Sequence, residues 1–143
     1  MIFYFTGTGN SLYAAKTLDN NLISIPQIMN SENLVFEDDK IGIVCPIYGY
    51  EMPEMVKEFI RKSELHTDYL YIILTYGNRH ASAVELAKKT IEASGKKADY
   101  IATLLTVDNF LPGFDMAEQM KIDKKVDGQL ASIKADIDAG RHS

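Results

Sequence analysis

Apolar residues along this chain follow two rhythms in alternation. Short continuous runs, the pattern of strands buried on both faces, are separated by stretches in which apolar residues recur every three or four positions, the pattern of amphipathic helices. Residues 2–5 (Ile2, Phe3, Tyr4, Phe5) form the first run and stop at glycines. Leu12, Ala15, Leu18 and Leu22 then recur at helical spacing. Residues 22–25 before Pro26 read as a short second strand, and residues 27–39 are polar and irregular. Residues 41–45 make a third strand that Pro46 stops. Met52, Val56, Phe59 and Ile60 mark a second helix, with Pro53 in its first turn, where a missing N–H costs little.

Residues 69–74 form the fourth strand. Val84, Ala87 and Ile91 share one face of the next helix, and Gly95 sits where a glycine ends it. Residues 100–105 are the fifth strand. Asp115 with Glu118 three positions on is a capping-box pattern, opening a helix whose stripe is Ile122, Val126, Leu130, Ile133 and Ile137, closed by Gly140. Strand and helix alternate throughout, which argues for an α/β fold with one parallel sheet covered on both faces. No internal repeat, low-complexity tract or linker interrupts residues 1–143, so a single domain is expected.

Composition adds exclusions. The 143 residues are 46% apolar and 24% charged, as in ordinary globular proteins. No apolar stretch approaches the roughly 20 residues that span a bilayer. Without a basic leader followed by an apolar core, the N-terminus does not read as a secretory signal, so a cytoplasmic location is expected. A net charge of −5 argues against nucleic acid as a partner. The one cysteine, Cys45, excludes an internal disulfide and any all-cysteine metal site, and its place in a buried strand suits inert packing.

In open α/β sheets ligands bind outside the carboxyl ends of the strands. Four turns fall there: 6–11, 46–51, 75–80 and 107–114, rich in glycine, tyrosine and hydroxyls. The first reads Thr6-Gly7-Thr8-Gly9-Asn10-Ser11. It lacks the lysine and spacing of a nucleotide P-loop, and Leu12 stands where a dinucleotide fingerprint needs its third glycine. It does suit one mononucleotide phosphate. Glycines let the backbone approach closely, the helix starting near Asn10 adds its positive end, and Thr6, Thr8 and Ser11 add neutral donors. Lys16 lies about 9 Å further along the helix axis and is not expected to be a ligand. A plain capped strand-to-helix turn is the alternative.

The segment TGTGNS after a first strand beginning at residue 2 resembles the phosphate loop of the flavodoxins, matching Thr/Ser-x-Thr-Gly-x-Thr/Ser at Thr6, Thr8, Gly9 and Ser11. The wording IFYFTGTGNSLYAAK most resembles the flavodoxin half of bacterial flavodoxin–ferredoxin fusion proteins, as do the turn Pro46-Ile47-Tyr48-Gly49 and the segment Val107-Asp108-Asn109-Phe110-Leu111-Pro112. The cysteine-rich ferredoxin half is missing, so internal electron relay is not expected. The resemblance implies a three-layer sandwich with a five-stranded parallel sheet of order 2-1-3-4-5, and FMN as cofactor.

It also implies site roles. Thr6, Gly7, Thr8, Gly9, Asn10 and Ser11 would hold the phosphate. Pro46, Ile47, Tyr48, Gly49 and Tyr50 would flank the flavin, with Tyr48 or Tyr50 stacking on it. Gly49 would turn its carbonyl toward the ring N–H that appears on one-electron reduction, since glycine tolerates φ > 0. The third loop, which Thr75 opens, would touch the pyrimidine edge through backbone groups of Tyr76, Gly77 and Asn78. Asp108 and Asn109 would line the ribityl side. Arg79 and His80 are either anion-stabilising neighbours or ordinary solvent-facing residues, and no acid or nucleophile supports a catalytic His80.

Three functions compete. An FMN-dependent one-electron carrier needs an exposed flavin edge and protein partners, a reductase and an acceptor; it would be a monomer or weak dimer. An FMN-dependent NAD(P)H or quinone oxidoreductase needs a cavity over the flavin. No insertion large enough for a lid is present, which favours the carrier, although residues 110–114 leave room for a pocket. A flavin-free regulatory module on the same topology would want acids at the ends of the first and third strands, where this chain has Thr-Gly and Pro-Ile.

Overall fold

In the computed structural model, five strands lie side by side in one parallel sheet. The structure describes residues 1–6, 10–48, 51–76, 82–106 and 116–143, with the side chains of residues 10 and 116–125 excepted. The elements are β1 (Ile2–Tyr4), α1 (Asn10–Leu18), β2 (Leu22–Ser24), α2 (Ile25–Ile28), β3 (Val35–Glu37), β4 (Lys40–Pro46), α3 (Glu54–Lys62), β5 (Glu64–His66), β6 (Tyr69–Tyr76), α4 (Ala83–Ala93), β7 (Tyr100–Leu105) and α5 (Met116–Asp138).

The sheet runs β2-β1-β4-β6-β7. Numbering only its own strands, that is the expected 2-1-3-4-5. The other two strands, β3 and β5, form a separate two-stranded parallel ribbon that the sequence pattern does not announce. Each has three residues, too few to display a period, and residues 27–39 therefore look irregular in sequence although they hold the end of α2 and all of β3. Helix α1 ends at Leu18, so Leu22 belongs to β2, and Ile25 opens α2 with Pro26 in its first turn, where a missing N–H costs little. Pro53 sits at the N-cap of α3. Asp115 lies outside the described residues. No described helix is long and apolar enough to cross a membrane.

Register explains which side chains face which layer. One row across the sheet is Leu22, Ile2, Gly42, Tyr71 and Tyr100; the next is Ile23, Phe3, Ile43, Ile72 and Ile101. Alternate residues of a strand point to opposite faces. The first row packs with Ala14, Ala15 and Leu18 of α1 and with Val126, Leu130, Ile133 and Ile137 of α5. The second packs with Val56, Phe59 and Ile60 of α3 and with Ala87 and Ile91 of α4. These two cores make three layers. Within the second, Phe3 meets Phe59 at 4.8 Å and Phe36 at 4.6 Å between ring centroids, which ties the small ribbon to the main sheet.

Gly42 has a specific reason in this packing. Its register partner is Tyr71, and a Cβ on residue 42 would lie 2.3 Å from the Tyr71 ring. The glycine makes room for a buried tyrosine one strand away.

Candidate functional site

The carboxyl ends of β1, β4, β6 and β7 form one rim, because the four strands are parallel neighbours. The chain leaves β1 for β2 on one side and later returns to place β4 on the other. The strand order therefore reverses between β1 and β4, the place where open α/β sheets form a ligand crevice.

Hydrogen bonding opens that crevice. In β4 the Gly42 N–H donates to the Met1 carbonyl on the β1 side at 3.0 Å, whereas the Ile47 N–H donates to the Thr75 carbonyl on the β6 side at 3.0 Å. Donor direction alternates along a strand, so residues 44 and then 46 are the next that would donate toward β1, and residue 46 is the first beyond the paired segment. It is a proline and has no N–H. Pairing of β1 with β4 ends at Tyr4 and Val44, while pairing of β4 with β6 continues to Pro46 and Thr75. Proline was expected to stop the strand; it stands as the last residue of β4 and ends its pairing on one side only.

Several expected site residues converge here. Thr6 follows β1, and Asn10 and Ser11 open α1. Pro46, Ile47 and Tyr48 follow one another at the end of β4. Thr75 and Tyr76 are the last residues of β6 rather than members of a loop. The Tyr76 carbonyl accepts from the Thr106 N–H at 2.8 Å, which ties β6 to the chain leaving β7. Gly7, Thr8, Gly9, Gly49, Tyr50, Gly77, Asn78, Arg79, His80, Asp108 and Asn109 lie outside the described residues.

Two contacts at the rim have no signature in the sequence. The hydroxyls of Ser11 and Thr75 are 3.0 Å apart and both are buried. They come from positions 64 residues apart, so no local spacing could reveal them. Tyr48 and Glu51 exchange two backbone hydrogen bonds, at 2.7 and 3.0 Å, and so clamp the two ends of the second turn. Tyr48 is 54% exposed. Lys57 of α3 lies 3.1 Å from Glu51 and 3.3 Å from Glu54. Burial works against its charge, but the two carboxylates outweigh burial and hold its pKa above the ordinary value.

The donors described at the rim suit a phosphate without a cation. Thr6, Ser11 and Thr75 are neutral, the charge of Lys57 is matched by Glu51 and Glu54, and Lys16 is exposed in the last turn of α1. The Cys45 thiol is wholly buried, and burial pushes its pKa far up, as befits a packing residue. No group of three metal-binding side chains occurs among the described residues.

Comparison with known proteins agrees with this geometry. A family model described as the flavodoxin domain matches residues 1–109, which include the first three turns of the rim. Curated protein sequences give no match. Among solved structures, the two-electron reduced flavodoxin of Megasphaera elsdenii is 18% identical, with 78% of this chain and 89% of that one covered and a TM-score of 0.57. An NAD(P)H:quinone oxidoreductase from Methanothermobacter marburgensis is 7% identical, covering 88% and 94%, at 0.52. The rubredoxin oxygen:oxidoreductase of Desulfovibrio gigas is 10% identical, covering 95% of this chain but 36% of that one, at 0.51. At such identities the likeness speaks for the fold alone. The match over residues 1–109, on a sheet of this order with its crevice between β1 and β4, shows that the chain belongs to the flavodoxin-domain family.

Proposed function

We propose that this chain holds one FMN in the crevice between β1 and β4 and carries single electrons from a reductase to an acceptor protein. The observation that carries the reading is the neutral hydroxyl loop. A complete Thr-x-Thr-Gly-x-Ser run begins after β1 and ends in the first turn of α1, in a family named for its flavodoxin domain. FMN, when bound, supplies the redox chemistry, and the protein sets its position and potential.

The residues divide that work. Hydroxyls of Thr6, Thr8 and Ser11, with backbone N–H groups of the loop, hold the phosphate dianion. Tyr48 or Tyr50 covers the ring by stacking and excludes water from it. Backbone groups of Tyr76, Gly77 and Asn78 hold the pyrimidine edge, and Asp108 and Asn109 the ribityl chain. The Gly49 carbonyl would offer a hydrogen-bond acceptor to a ring N–H of the flavin.

The purified protein, reconstituted and freed of excess ligand, is expected to show a flavin spectrum at one FMN per chain. FAD bound as tightly as FMN would count against a single mononucleotide site. NADPH alone should reduce the bound flavin slowly, and an added flavoprotein reductase should make reduction fast. Rapid turnover of NAD(P)H with a quinone, in the absence of any reductase, would establish the oxidoreductase alternative instead.

A further inference from the structure

The Ser11–Thr75 pair joins the phosphate loop to the third strand end. Thr75 shares a register row with Pro46 and Leu104, and Leu104 packs in the core beneath α1 and α5. Side-chain alternation thus turns Thr75 toward α1, where Ser11 sits in the first turn. The two oxygens are 3.0 Å apart, and Ser11 is 2% and Thr75 3% exposed. Water has little access to either.

A hydroxyl has one hydrogen to give and two lone pairs to receive with. The pair shares one hydrogen bond and owns two hydrogens, so one hydroxyl always keeps a hydrogen for a third partner. Which one keeps it is open in the pair by itself. An oxyanion beside α1 closes the choice, because it can only accept. Ser11 then donates to the anion, and its oxygen must receive from Thr75.

We propose that Thr75 is a positioning residue for Ser11. It donates to the Ser11 oxygen and so directs the Ser11 O–H at the phosphate of a mononucleotide ligand. This rests on the FMN reading and alters one part of it. The Thr75 side chain serves the phosphate through Ser11, although its residue was expected at the pyrimidine edge. With Thr75 in place Ser11 is locked as a donor. Without it, a buried Ser11 lone pair goes unpaired and the hydroxyl is free to rotate away.

Binding of FMN and of riboflavin, followed by flavin fluorescence quenching, tests this, since only FMN carries the phosphate. Thr75→Val keeps shape and β-branching and removes the hydroxyl. It should weaken FMN about 3- to 10-fold, the range for one hydrogen bond, and leave riboflavin within about twofold. Thr75→Ser should restore FMN binding. In a Ser11→Ala background, Thr75→Val should cost nothing further, because its route of action is gone. Equal losses for FMN and riboflavin would overturn the proposal, as would penalties that multiply in the double variant. A lowered melting temperature with an unchanged FMN-to-riboflavin ratio would make the pair a structural clasp and nothing more. A wild-type protein that binds riboflavin and FMN equally, or neither, overturns the FMN reading itself, and this inference with it.

Discussion

The two ends of the sheet are built from opposite materials. At the amino rim, charge meets charge. The Met1 ammonium lies 2.6 Å from Asp19 and 2.8 Å from Asp38. Lys40 donates to the Ile137 carbonyl at 2.6 Å, capping the end of α5, and stands over the Tyr69 ring. Asp99 accepts from the Leu70 N–H at 2.8 Å, Tyr100 donates to Asp136, and Tyr69 donates to the Arg141 carbonyl. Lys96 donates to the Ile60 carbonyl at 2.6 Å, near the end of α3. The starts of β1, β4, β6 and β7 are tied by groups of the protein itself. At the carboxyl rim the described hydroxyls are neutral, and Pro46 withholds a hydrogen bond between the central strands. At one end charged groups tie the strand starts; at the other the described polar contacts are hydroxyl and backbone pairs, apart from Lys57 with Glu51 and Glu54, and the FMN reading places the ligand there. Stability and binding should therefore separate under mutation.

The sharpest break comes from charge at the binding end. Thr8→Glu sets a carboxylate where a phosphate dianion is to bind, and like charges brought together cost several kcal/mol. FMN affinity should fall by at least about 100-fold, or about 3 kcal/mol. Equilibrium unfolding of the flavin-free protein should move by less than about 0.5 kcal/mol. A large stability loss would contradict the separation of the two ends.

Gly42→Ala should do the converse. Its Cβ would lie 2.3 Å from the buried Tyr71 ring, an overpacking worth about 1–3 kcal/mol of stability. Denaturant titration should show that loss, with FMN affinity unchanged wherever the variant is folded.

Gly49→Val tests the binding end more finely. Left-handed geometry costs a residue with a Cβ roughly 1–2 kcal/mol. The first one-electron midpoint should fall by about 40–80 mV, while oxidised FMN binds nearly as before. An unshifted midpoint in a variant that still binds FMN would assign the carbonyl to a neighbouring peptide.

Acid should loosen the amino end. Burial opposes ionisation of Asp19, but the Met1 ammonium and the Asn21 N–H outweigh it, so its pKa lies below the ordinary 3.8. The Met1 ammonium, with the Asp39 N–H, lowers Asp38 likewise. A carboxyl whose folded pKa is depressed stabilises fully above its unfolded value and loses that contribution as pH falls through the folded one. The melting temperature should drop on acidification below about pH 4, and the drop should be shallower in Asp19→Asn/Asp38→Asn. At neutral pH, exposed pairs of this kind contribute about 0.2–1 kcal/mol each. The smallest effect belongs to Ser63 after α3, whose buried hydroxyl oxygen finds no hydrogen-bond partner among the described residues. Ser63→Ala should leave stability unchanged or raise it by up to about 1 kcal/mol, in the same unfolding assay.

Local pattern made the main sheet legible. Five apolar runs, four helical stripes and the order of their alternation are properties of neighbouring residues, and they gave the layers and the rim on which the candidate site lies. The same holds for the composition of the loop 6–11, whose hydroxyls and glycines fall within six positions. The ribbon of β3 and β5 was not legible, because three-residue strands carry no period and each exists only through its pairing with the other.

By itself, then, the sequence determined the α/β class, the strands of the sheet and the neutral character of the first loop, since those depend on residues close together in the chain. Only the tertiary structure decided that Ser11 would meet Thr75, that Gly42 would yield its space to Tyr71, and that Pro46 would end pairing toward β1 while β6 stayed joined. These depend on which strands become neighbours and in what register. That choice is made by burial of the whole sheet between two helical layers, and a hydrogen bond or a steric gap between distant residues leaves no periodic trace along the chain.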